Sequence, residues 1–179
     1  MRTSRKPSQS ATQFIKVKTV PPVGSIDGTQ MVKSHLIWWM HRYENQAIPC
    51  MAPNCLFDLA EIPGDQRIYL PMRDSHAKTE FLLDLPCSAH GPLSTAYEQH
   101  GDLRKLVFRF GRIRAGKNAA ITVTSACLTS ERPRLEFEFD VEAALSSITA
   151  KAVTYATGQI LAKNPSLRGS ILTAERPAT

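Results

Sequence analysis

Four side chains that could share a metal ion fall between positions 41 and 58: His41, Cys50, Cys55 and Asp58. An imidazole, two thiolates and a carboxylate are all zinc donors, and a structural zinc site needs four ligands. Such an ion would pin the stretch from Gln46 to Pro63, where Pro49, Pro53 and Pro63 argue against regular structure. C-x4-C is not a standard knuckle, and Asp is an uncommon structural ligand. Two free thiols in a reducing cytosol, with no cofactor, are therefore the preferred reading, and a structural zinc is the alternative.

A second chemistry lies in cations interleaved with aromatics. Ile68, Leu70 and Met72 alternate with Arg67, Tyr69 and Arg73, which puts the second set on the non-core face of a strand. Lys105 and Arg109 take the polar side of the stretch Leu103 to Ile113. Arg112, Arg114 and Lys117 surround the turn signal Ala115-Gly116-Lys117-Asn118. Cations of this kind neutralise phosphates and release counterions, while aromatic faces stack bases of any identity. Trp38 and Trp39 must point to opposite faces of a strand. Trp39 is expected to be the exposed one, because its face-mates His41 and Tyr43 are more polar than Leu36 and Met40. Alternating Arg and Lys also describe any solvated sheet face, and Tyr69 could simply cover a core edge.

Catalytic signatures are missing. The chain has no G-x-S-x-G, P-loop, H-E-x-x-H or Rossmann glycine set, and no enzymatic activity is expected. His76, His90 and His100 read as surface residues in turns and at a helix end. Zinc nucleobase deaminases pair H-x-E with P-C-x-x-C. His41-Arg42-Tyr43-Glu44 and Pro49-Cys50 are superficially similar, but His to Glu is one residue too long and the two ligand sets lie too close together.

The elements that must position these groups follow a period of two through most of the chain. Strands are expected over His35–Tyr43, Arg67–Arg73, Thr79–Leu85, Leu103–Ile113 and Ala120–Cys127, with a last one over Arg134–Val141. A short helix spans Pro92–His100 and stops at Gly101. A long one spans Glu142–Lys163, with Leu145, Ile148, Ala152 and Ile160 as its stripe. The expected fold class is mainly β, a five-stranded OB-like barrel with a short helix between strands three and four, plus a C-terminal strand and long α-helix. Residues 1–30 read as a basic flexible arm, 31–130 as the barrel, 131–163 as a strand-plus-helix appendage and 164–179 as a tail.

The run WWMHRYENQAIPCMAPNCLFD, followed by RIYLPM, resembles small bacterial and phage-type OB-like single-strand binders. Those carry a histidine and a C-x4-C-x2-C run before an aromatic strand. The likeness covers about residues 35 to 125. It implies an OB fold and single-strand binding, and it carries over His41, Cys50 and Cys55. Asp58 stands where that pattern has its third cysteine.

Composition bounds the partners. The 179 residues carry 22 Lys+Arg against 16 Asp+Glu, a charge of +6, which favours an anionic partner. No apolar run approaches the ~20 residues of a membrane span, so no membrane partner is expected, and a cytoplasmic location is the default. Two functions follow as expectations. One is non-catalytic binding of single-stranded nucleic acid, DNA ahead of RNA, through a basic and aromatic barrel groove. The other is a protein-interaction or assembly subunit, a homo-oligomer working through the C-terminal helix and the N-terminal arm.

Overall fold

The structure, a computed structural model, describes residues 16–50, 55–77, 79–127 and 139–168. Eight strands form one mixed sheet: β1 (Lys16–Thr19), β2 (Ile26–Gln30), β3 (Ile37–Tyr43), β4 (Gln46–Pro49), β5 (Gly64–Asp74), β6 (Glu80–Pro86), β7 (Leu106–Arg112) and β8 (Ile121–Cys127). Three helices accompany them: α1 (Leu56–Leu59), α2 (His90–His100) and α3 (Val141–Lys163).

The sheet runs β1-β6-β5-β2-β7-β8, and β3 pairs with both β5 and β4. β5 organises it. One edge of β5 runs antiparallel to β6 along its length. The other edge is divided, with β3 against Gly64–Ile68 and β2 against Met72–Asp74. The division exists because the chain bends between β2 and β3, so the two strands follow one edge in succession.

The side chains of β5 alternate between faces as expected, but both faces are covered from Ile68 to Met72. Ile68, Leu70 and Met72 are fully buried, and they join Phe81, Leu83, Leu85, Phe108 and Phe110 in a core closed by Leu93 and Ala96 of α2. α2 ends at Gly101, whose φ of 67° is left-handed and carries the chain away from the helix. Asp140 caps α3 by accepting a 2.9 Å hydrogen bond from the Ala143 amide.

The expected closed five-stranded barrel is not what forms. The sheet has eight strands and is open, and no ladder joins β8 to β6 or β1 among the described residues. β1 instead lies parallel along the free edge of β6. The gap is bridged by the Arg112 side chain. Its guanidinium donates to the carbonyls of Val20, Pro21 and Ala119 at 2.7–3.3 Å. The Gly116 amide donates to Pro22 at 3.1 Å.

Other expectations also change. Residues 16–30, read as part of an arm, supply β1 and β2, and β2 is the hydrogen-bonded centre of the sheet between β5 and β7. The insert after β3 is more regular than its prolines suggest. β3 and β4 form a hairpin across Glu44 and Asn45, both at positive φ, and α1 follows. The expected arm up to residue 15, most of the expected strand Arg134–Val141 and the tail beyond 168 lie outside the described residues.

α3 covers the sheet's outer face. Its first half packs Val141 and Leu145 on Met40, Tyr69 and Leu82. Its second half packs Ala156 and Ile160 on Ile48, Cys55, Leu56 and Phe57. Ile148, placed in the stripe by sequence, is instead 39% exposed.

Candidate functional site

β3, β4 and α1 bring the four expected metal ligands together. The hairpin holds β3 against β4, so His41 pairs with Ile48, just before Cys50. The Cys50 amide donates to Trp39 at 2.8 Å, which turns its side chain toward β3. Cys55 begins α1, and Asp58 lies one turn along it, so both face the same way. His41 is fully buried, stacked on Phe57 at 5.5 Å between ring centroids.

The hydrogen bonds define donor roles. His41 Nδ1 lies 3.0 Å from the Ile62 carbonyl, an acceptor, so Nδ1 carries the proton. That leaves Nε2 as the lone-pair nitrogen, aimed at Cys55 Sγ at 3.5 Å and Asp58 Oδ1 at 3.4 Å. A carbonyl fixing the imidazole tautomer is the usual outer support of a metal-binding histidine. Cys50 Sγ lies 3.3 Å from Asp58 Oδ2, and one ligand atom from each of the four residues falls within 4.8 Å of all the others. Tetrahedral bonds of zinc length put ligand atoms about 3.3–3.8 Å apart, a range that holds the His41–Cys55, His41–Asp58 and Cys50–Asp58 spacings. The cluster could hold a metal ion.

The cationic set divides. Tyr69 is 4% exposed, beneath Val141 and Leu145 of α3, so neither ring face is open to a base. Burial, and then the neighbouring Asp84, push its hydroxyl far above the ordinary tyrosine range. Arg67 donates to Asp84 at 2.7 and 2.9 Å, both side chains being largely buried. Burial raises the Asp84 carboxyl above its ordinary value despite that partner. Arg73 pairs with Glu80 across the β5–β6 ladder at 3.1 Å. Arg109 pairs with Asp27 at 2.7 Å. Lys105 immediately precedes β7, and its side chain is outside the described set. Arg114 and Lys117 are exposed at the β7–β8 turn.

Trp39 is the more exposed tryptophan, as expected, at 46%. The reason differs from the sequence reading, since its face-mate His41 is buried. A Cβ on Gly64 would lie 2.5 Å from Trp39 Nε1, so the indole rests directly on that glycine.

Three of the expected cations do meet. At the open seam a cleft of about 540 Å³ is lined by Arg67, Arg112 and Lys117, together with Arg42, Asp84 and Ser88. Arg42 was missed from sequence, though its place two residues beyond Met40 puts it on the outer face of β3.

No protein-family model matches the chain, and no curated protein and no solved structure does either. Its chemistry is therefore read from these two places, the ligand cluster and the seam cleft. No helix among the described residues is long and apolar enough to cross a membrane.

Proposed function

We propose that this chain is a non-catalytic binding module for single-stranded nucleic acid, with a structural zinc ion at His41, Cys50, Cys55 and Asp58. The observation that carries the binding reading is the seam cleft, where four cations from β3, β5, β7 and the β7–β8 turn stand with two acids, Asp84 on Arg67 and Asp65 3.3 Å from Arg42. Arg67 is paired with Asp84, whereas Arg112 is held by backbone carbonyls. Phosphates of a flexible strand suit such a cleft. The strand neighbours β6-β5-β2-β7-β8, with α2 between β6 and β7, support an OB-like relationship, since OB barrels are themselves partly open. Four protein ligands leave zinc no open position, which favours a structural over a catalytic ion.

The test is an anisotropy titration of a short single-stranded oligonucleotide at several salt concentrations. Log affinity should fall linearly with log salt, and Lys117→Ala and Arg42→Ala should each reduce the slope by about one. No binding at low salt rejects the reading.

A second reading has its own observation. Ile148 and Tyr155, two turns apart on one side of α3, are 39% and 49% exposed. They support an assembly role, in which Ile148→Glu would convert an oligomer to a monomer in light scattering.

A further inference from the structure

We propose that the hollow between α2 and the start of β3 seats one unpaired base of the bound strand, an inference that rests on the single-strand reading above. The hollow is about 420 Å³ and is lined by His35, Ile37, His90, Ser94, Tyr97 and Glu98, with Leu36 at its side. That volume is at the small end of ligand pockets, about 300–1,000 Å³.

One wall is rigid. His90, Ser94, Tyr97 and Glu98 are spaced i, i+4, i+7 and i+8, so they form one face of α2. The adjoining face, Leu93 and Ala96, is anchored in the core. The other wall is the strand entry from His35 to Ile37.

The surfaces suit a flat heterocycle. Leu36, Ile37 and Tyr97 are 52%, 40% and 37% exposed, an unusual concentration of open apolar side chains around one hollow. Trp39 follows Ile37 on the same face of β3 and extends the apolar strip toward β5. Polar groups stand at the edges. His35 Nε2 and His90 Nδ1 share a hydrogen bond of 2.7 Å, with the rings edge-on. His35 Nδ1 is itself buried, with no hydrogen-bond partner among the described residues.

Charge separates a base from a phosphate here. Two imidazoles sharing a hydrogen bond cannot both be protonated, because one nitrogen must accept. Burial, and then the neighbouring His90, also hold His35 below the ordinary histidine range. Glu98 brings a carboxylate. The hollow therefore disfavours phosphate and favours a neutral ring with polar edges.

Position links the hollow to the cleft. Ser88 lines the seam cleft and His90, two residues on, lines the hollow, so the two places flank one short helical segment. A strand whose phosphates occupy the cleft would cross that segment to bring a base to the hollow.

The experiment compares the full-length chain binding a single-stranded oligonucleotide and an abasic strand of equal length, both by anisotropy at low salt. The base-bearing strand should bind about tenfold more tightly. Tyr97→Ala should remove that advantage and leave abasic binding unchanged, while Tyr97→Phe keeps it. A circular-dichroism melt checks that each variant is folded, and Ile37→Ala serves as an independent probe of the opposite wall. Equal, salt-dependent binding of both strands by the unaltered protein overturns the base seat and leaves the cleft reading standing. Binding of neither strand overturns both. A base preference that survives both alanine substitutions also overturns the seat, since the bases then stack elsewhere.

Discussion

The outer face of β5–β6 and the open seam carry the same residue types, yet they differ in what surrounds them. On the outer face, Arg67 and Arg73 meet acids one strand away, and Tyr69 disappears under α3. At the seam, Arg112 is held by backbone carbonyls and Lys117 stands exposed at the edge of a cleft, while Arg42 there is paired with Asp65 at 3.3 Å. Cations on a sheet become structural where a neighbouring strand supplies carboxylates and a helix supplies cover. Where the sheet fails to close, they line an open cleft instead.

The largest effect that would sharpen this contrast comes from the metal cluster, because α3 rests on it through Cys55, Leu56 and Phe57. Cys55→Ser should abolish stoichiometric zinc in elemental analysis and lower stability by several kcal/mol, as loss of a structural metal does. Unchanged thermal stability in chelator, with no zinc in the purified protein, would return the pair to free thiols.

Next in size is the difference between the two faces. Tyr69→Ala should lower stability by about 3 kcal/mol, read as a shift of the urea midpoint, because it empties a site under α3. Lys117→Ala should change stability by less than about 0.5 kcal/mol, its effect appearing in the salt slope. A Tyr69→Ala protein of normal stability that had lost oligonucleotide affinity would reverse the assignment of the two faces.

The smallest effect is in pH. His35 has its affinity for protons lowered on folding, so below the ordinary histidine value of 6.5 the unfolded chain binds more protons than the folded one. Stability should therefore fall as pH drops from 7 to 5.5, and His35→Asn should flatten part of that fall in urea midpoints. Identical pH slopes in both proteins would count against a burdened His35–His90 pair.

Much of this was legible in the chain. The strand alternation in β5 to β8, the stop at Gly101 and the long C-terminal helix follow from side-chain period and backbone preference, which act within a few residues. The ligand set was readable for a related reason. Its members lie close along the chain, so one hairpin and one helical turn suffice to gather them. β2 was not readable. Ile26-Asp27-Gly28-Thr29-Gln30 has one large apolar residue and no alternation, yet it is central because its backbone pairs on both edges. Gly28 belongs there for a reason visible only in three dimensions, since a Cβ would sit 2.6 Å from the Arg73 carbonyl.

The sequence by itself determined which residues alternate, where the helices end and which four side chains could bind a metal. Tertiary structure alone decided which alternating face would be covered, that the sheet would stay open at Arg112, and that His35 would meet His90 across 55 positions. Local preferences are set by each residue and its near neighbours. Cover, closure and distant pairing depend on where the rest of the chain comes to lie, and packing settles them only once all the elements are in place.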